Sequence, residues 1–201
     1  MLSTTDAIVL SLQPHSDKAH MLHAYTRAGG RVNYIVYGLG RKHPIGMYMP
    51  LSLITITADY PANGLPTIRE AVLQRSGLTA KRSNSETVLQ RSGLYKQTIR
   101  LFISEVLFHV LRHPMTDERM YDFIEQAVQA LDQTDEPQNF HLQFLLGFAA
   151  KLGFEMEEEI PLPHTRKERQ EALQTMCNYF AEHVETWQDP KSLDVLMEVF
   201  D

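Results

Sequence analysis

Gly29-Gly30-Arg31-Val32-Asn33-Tyr34-Ile35-Val36-Tyr37 decides how the first third of this chain is read. The two glycines supply the positive φ angles of a tight turn. The residues after them are mostly β-branched or aromatic, which suits a pleated strand. Before the turn, Met21–Thr26 is a second apolar run, and Ala7–Leu12 is another, ended by Pro14. After it come Leu51–Thr57 and Thr67–Leu73, separated by a turn at Asn63-Gly64. Five short strands with turns at this spacing predict a small closed barrel.

Beyond Tyr95 the apolar period becomes helical. Ile99, Phe102, Ile103, Val106, Leu107, Val110 and Leu111 form one stripe, ended by Pro114. Met120, Phe123, Ile124, Ala127 and Leu131 form a second. Phe140, Phe144, Leu145, Phe148 and Leu152 form a third, with Gly153 as its C-terminal cap. Thr165-Arg166-Lys167-Glu168 has the form of a capping box and opens a fourth helix, with Leu173, Met176, Phe180 and Val184 inward. Pro190 precedes a last short one carrying Leu193, Leu196, Met197 and Phe200. The fold class is α+β: a five-stranded barrel over residues 1–75, a connector at 76–95 and an all-helical domain at 96–201. The connector holds a local duplication, VLQRSGL at Val72–Leu78 and again at Val88–Leu94.

Composition narrows the function classes. No apolar run approaches the roughly 20 residues of a membrane helix. No signal leader is read at the start. Cys177 is the only cysteine, which excludes an internal disulfide and a cysteine-rich zinc site, and a reducing cytoplasm is expected. Net charge is −6, but residues 1–80 carry seven Lys/Arg against four Asp/Glu, +3, leaving −9 in the rest. A phosphate-binding surface therefore belongs to the first part.

The loop Gly38–Gly46 holds Arg41, Lys42 and His43 among glycines. Glycines let backbone approach a phosphate and cations neutralise it, although an ordinary solvated loop has the same composition. It is not a Walker loop, because the spacing differs. Tyr25, Tyr34 and Tyr37 lie among Lys18, Arg27 and Arg31, and aromatics interleaved with cations suit single-stranded nucleic acid. Tyr34 and Tyr37 point to opposite faces of one strand, so only one of them can meet a ligand.

His109 and His113 have metal-ligand spacing but lack the HExxH signature, and a surface pair at a helix end is the simpler reading. His20 and His23 fall on opposite faces of a strand. Cys177 reads as a packing residue. No nucleophile elbow or carboxylate pair is present, so no enzyme, metal or cofactor is expected.

The order of these features resembles a known family. DAIVL at 6–10, SDKAHMLHAYTRAGGR at 16–31, YGLGRK at 37–42, PLSLI at 50–54 and IREA at 68–71 look like the oligonucleotide/oligosaccharide-binding (OB) barrel of RecO recombination mediators. FISEVLFHVL at 102–111 and QNFHLQFLLGFAAKLGF at 138–154 resemble helices of that family, and KSLDVLMEVF at 191–200 resembles the ending of its Bacteroidetes-type members. Two departures stand out. The four-cysteine zinc module of many members cannot exist here, and the stretch from Glu155 to Thr165 is short.

The resemblance implies a DNA repair and recombination mediator. Such a protein binds single- and double-stranded DNA, anneals strands, and works with RecR and the acidic tail of the single-stranded-DNA-binding protein to load RecA. It would act in the cytoplasm on the nucleoid. Lys18, Arg27, Arg31, Tyr34, Tyr37, Arg41 and Lys42 are the expected DNA contacts. Phe144 and Lys151, with Arg100 and Arg112, are the expected pocket for the tail, although Lys151 also complements its own helix dipole. The runner-up is a protein-binding adaptor that does not touch DNA.

Overall fold

The computed structural model describes residues 1–74, 86–154 and 163–199, with residues 86–91 described by their backbone. Five strands, β1 (Leu2–Ser16), β2 (Ala19–Thr26), β3 (Gly30–Tyr37), β4 (Leu53–Asp59) and β5 (Thr67–Leu73), close a barrel in the order β1-β2-β3-β5-β4. All pairs are antiparallel except β3 with β5, which meet in parallel at Ile35 and Thr67. This is the OB barrel expected from the sequence. Five helices follow: α1 (Glu86–Val110), α2 (Glu118–Gln133), α3 (Phe140–Leu152), α4 (Arg166–His183) and α5 (Leu193–Val199).

Strand β1 is much longer than its apolar run. Its first half pairs with β4, from Leu2 opposite Asp59 to Ile8 opposite Leu53, and its second half pairs with β2. A register shift between Val9 and Ser11 turns the strand from one partner to the other. Pro14 does not end it; the strand runs on to Ser16 across a second irregularity, where a missing N–H is tolerated. Ala7, Val9, Leu22, Ala24, Tyr34, Val36, Ile54 and Ile56 fill the barrel, and Tyr48 joins them from a 3-10 turn at Ile45–Tyr48. Burial of each aliphatic chain here is worth about 1.5–3 kcal/mol, and truncating one such as Ile54 to Ala costs roughly 2–5 kcal/mol.

The chain divides into two compact units, and the division departs from the sequence-based one. The first unit is Met1–Gly77 together with Leu111–Gln126; the second is 78–110 with 127–201. In the first unit the 111–126 segment is fastened to the β2–β3 turn. Arg27 donates to Asp122 at 2.6 Å and to Glu125 at 3.1 Å, with its guanidinium 4.3 Å from the Tyr121 ring centroid. Tyr25 stacks on Tyr121 at 6.4 Å, and the Thr116 hydroxyl donates to the Ala28 carbonyl.

In the second unit α1 begins at Glu86, so 86–95 is helical where a connector was expected. Residues 75–85, including most of the first VLQRSGL copy, lie outside the described residues. The shortened stretch, at 155–162, lies outside them too. The middles of the inward stripes of α1, α3 and α4 are buried as their period predicts, and their ends, such as Val110, Phe140, Leu152 and Val184, are partly buried. Phe144, Phe148, Phe180 and Trp187 stack in sequence at 5.7, 6.0 and 5.1 Å. Gly153 caps α3 at φ 92°, and Thr165 with Glu168 forms the capping box of α4. Glu105 accepts the Ser192 amide and hydroxyl, tying α5 to α1.

Candidate nucleic-acid interface

Strand register sorts the candidate DNA contacts into two groups. Ala19 pairs with Tyr37 at one end of the β2–β3 ladder, while Tyr25 pairs with Arg31 and Thr26 with Gly30 at the other. Arg31 and Tyr37 are six residues apart on β3, a span of roughly 20 Å. Lys18, in the β1–β2 turn, precedes Ala19 and so lies at the Tyr37 end. Arg27 and Arg31 occupy the opposite end.

The loop after β3 is a built structure. The Arg41 and Lys42 amides both donate to the Gly38 carbonyl, at 3.1 and 2.9 Å, and the Gly40 amide donates to the His43 carbonyl at 2.8 Å. The Lys42 stem lies over Gly38, with its Cδ 3.7 Å from where a Cβ would stand. His43 is buried, and its Nδ1 shares a 2.9 Å hydrogen bond with the Tyr48 hydroxyl. Burial lowers the pKa of His43, with Lys42 adding to the effect, so the ring is neutral near pH 7. Burial raises the Tyr48 phenol to about 12. The inward half of the loop is thus anchored in the barrel, and Arg41 and Lys42 are held outward, exposed. Among the described residues none of Lys18, Arg41 and Lys42 forms an ion pair.

The two tyrosines of β3 resolve as alternation demands. Tyr34 is fully buried, its hydroxyl 2.9 Å from that of Tyr60, so its ring is core and is not available for stacking on a base. Tyr37 is 53% exposed. Arg27 is occupied by Asp122 and Glu125. Arg31 is half-buried near Arg112, and burial followed by that like charge lowers its pKa. The two groups of cations therefore have different surroundings: solvent at the Tyr37 end, the 111–126 segment at the other.

The four residues of the expected tail pocket have different surroundings. Phe144 is buried against Phe148, Arg100 is paired with Asp132, and Arg112 belongs to the first unit. Lys151, in the last turn of α3, is exposed, and so is Arg112. The second unit holds a small, shallow cleft, lined by His141, Arg166, Arg169, Gln170, Leu173, Leu196 and Met197. Its rim was visible in the sequence as Arg166, Arg169, Gln170 and Leu173, which share one face of α4 by their i, i+3, i+4 and i+7 spacing. At its base His141 is almost wholly buried, which drives its pKa down to about 3, with Arg169 contributing.

Other polar clusters are structural. His23 is buried with its Nδ1 2.7 Å from Asn33. His113 lies beyond the end of α1, so it does not share a helix with His109. Burial pushes the Cys177 thiol up to about 12, which leaves it protonated and unreactive. Among the described residues no group of three or more His, Cys, Asp or Glu is gathered to hold a metal, and no helix is long and apolar enough to cross a membrane.

Comparison with known proteins meets this architecture unit by unit. The family model described as "Recombination protein O N terminal" matches residues 1–76, and "Recombination protein O C terminal" matches 91–159. The chain is 26% identical over 245 aligned positions to the DNA repair protein RecO of Flavobacterium johnsoniae, covering 98% of both. It is 24% identical to the protein of that name from Christiangramia forsetii over the whole of both chains. With that of Porphyromonas gingivalis it shares 31% over 160 positions, which cover 76% of this chain and 61% of the relative.

Proposed function

This chain belongs to the RecO family of DNA repair proteins, and on that premise we propose that its barrel binds single- and double-stranded DNA through the Tyr37 end. The observation that carries the reading is the set of exposed cations Lys18, Arg41 and Lys42 at the same end of the barrel as the exposed Tyr37, none of them in an ion pair among the described residues. Cations presented in this way release counterions from phosphates, and the ring supplies a stacking surface. Arg27 and Arg31 serve the opposite end: Arg27 fastens the 111–126 segment, and Arg31 lies beside it.

Neutralising two backbones on one basic surface lowers the repulsion between complementary strands, which is the physical basis of annealing. No covalent step is required. The protein then acts as a mediator, with RecR as partner, on DNA coated by the single-stranded-DNA-binding protein, and helps RecA to load there. Its work is cytoplasmic, on the nucleoid. A candidate receptor for the acidic tail of the coating protein is the surface around this shallow cleft, where Arg166 and Arg169 offer charge beside Leu173 and Leu196.

Binding of a labelled single strand measured across salt concentrations tests the DNA reading. Contact by three cations should give a log–log slope near −2, at about 0.7 per phosphate neutralised on a single strand. Absence of binding at low salt would leave the adaptor reading. A labelled tail peptide separates the two receptor sites: loss of binding with Arg166→Glu and Arg169→Glu, but not with Lys151→Glu, supports the cleft, and the reverse pattern supports the end of α3.

A further inference from the structure

We propose that Ile45 and Met49 contact the faces of unstacked bases and give the barrel a preference for single-stranded over duplex DNA. The inference rests on the reading that the Tyr37 end binds DNA. Its starting point is an arrangement that phosphate binding alone does not explain. The 3-10 turn at Ile45–Tyr48 is anchored by Tyr48, which is buried in the barrel core and bonded to His43. The two residues at the ends of this segment are exposed instead, Ile45 at 59% and Met49 at 52%. They belong to the same excursion between β3 and β4 that holds Arg41 and Lys42 outward, and Tyr37 enters it.

Large apolar side chains exposed in the same connection as exposed cations gain nothing from a phosphate. A duplex turns its phosphates outward and keeps its base faces stacked inside, so it offers such residues little. A single strand held by its phosphates presents unstacked base faces to whatever lies beside the cations. Apolar and aromatic contacts with base faces are tolerant of sequence, because every base has such a face. Methionine, unbranched and polarizable, adapts to an irregular partner. The cations therefore set affinity for any DNA, while Ile45 and Met49 add affinity only where bases are open.

The test compares wild type, Ile45→Ser/Met49→Ser and Arg41→Ala/Lys42→Ala on three probes of equal length: a mixed-sequence single strand, its duplex, and a strand of abasic sites. The serine pair should weaken single-strand binding roughly 5- to 50-fold and leave the duplex, the abasic strand and the salt slope nearly unchanged. The alanine pair should weaken all three. Met49→Trp, which enlarges the contact, should tighten the single strand alone, and it decides the matter if the serine pair proves unstable. Equal loss on all three probes would show that Ile45 and Met49 act through the loop's shape, and would overturn the proposal. Unchanged binding by the serine pair, with the alanine pair still weakened, would also overturn it while leaving the DNA site intact; the exposed patch would then serve a protein. Failure of wild type to bind any probe would sink the DNA site and this inference together.

Discussion

Gly30 stands so close to Met115 that a Cβ at position 30 would lie 2.2 Å from the Met115 carbonyl oxygen. The same glycine has φ 62°, a conformation that a side chain disfavours. Backbone contact on one side and backbone strain on the other make this position a junction between the barrel and the segment that follows α1. Gly30→Ala should therefore lower stability by on the order of 2 kcal/mol or more, read as a shifted denaturant midpoint. A midpoint within error of wild type would mean that the 111–126 segment is not seated on the turn in solution.

Arg27 and the Arg41/Lys42 pair should separate stability from binding. Arg27→Ala removes two partly exposed ion pairs and a cation–π contact, a loss of about 1 kcal/mol after solvent screening. Its DNA affinity should stay within twofold of wild type. Arg41→Ala/Lys42→Ala should leave the unfolding midpoint in place and weaken DNA binding equally for all sequences, since phosphate contacts carry no base identity. Anisotropy titrations alongside urea melts check both, and an exchange of the two phenotypes would return Arg27 to the DNA surface.

The tyrosines of β3 should behave as oppositely as they point. Tyr34→Phe leaves the Tyr60 hydroxyl without its inner partner and should cost about 1 kcal/mol of stability, with DNA binding preserved. Tyr37→Ala should leave stability unchanged and reduce single-strand affinity, by about 1–3 kcal/mol if a base stacks there. Equal affinities for wild type and Tyr37→Ala would remove the ring from the binding surface.

Acid should weaken the fold through His141. Its folded pKa is about 3, below the unfolded value near 6.5, so between these the unfolded chain binds a proton that the folded chain does not. The full contribution is present above pH ~6.5 and is lost as pH falls, at no more than about 1.4 kcal/mol per pH unit. Denaturant melts at about pH 7.5 and about pH 5 should show this drop, and His141→Leu should flatten it. An identical pH dependence in the variant would assign the acid sensitivity elsewhere.

Much of this architecture was legible in the sequence because local rules govern it. Apolar and β-branched runs between turn residues located all five strands, and the capping residues Gly153, Thr165 and Glu168 do what their chemistry dictates. What escaped depends on partners far along the chain. Ser3, Thr4, Thr5 and Asp6 near the start of β1 carry no apolar signal, and they become strand only because β4 lies beside them. Arg27 looked like a DNA contact because its acids are 95 and 98 residues away in sequence. Tyr34 and Tyr37 could be set on opposite faces by counting, but choosing the inner one required the barrel to close.

The division of the first unit bears on how the protein is made. Its barrel cannot close until β4 and β5 have been synthesised, because the opening residues of β1 wait for Thr57, Ala58 and Asp59. Even then Tyr25 lacks its stacking partner and Arg27 its counter-ions until residues 121–125 emerge, after the whole of α1. A nascent chain advancing at about 5–20 residues per second holds this unfinished surface open for several seconds. During that interval an apolar ring and an unneutralised arginine face the ribosome exit and its attendant chaperones. The N-terminal unit, though first to be translated, is completed only when more than half of the polypeptide has left the ribosome.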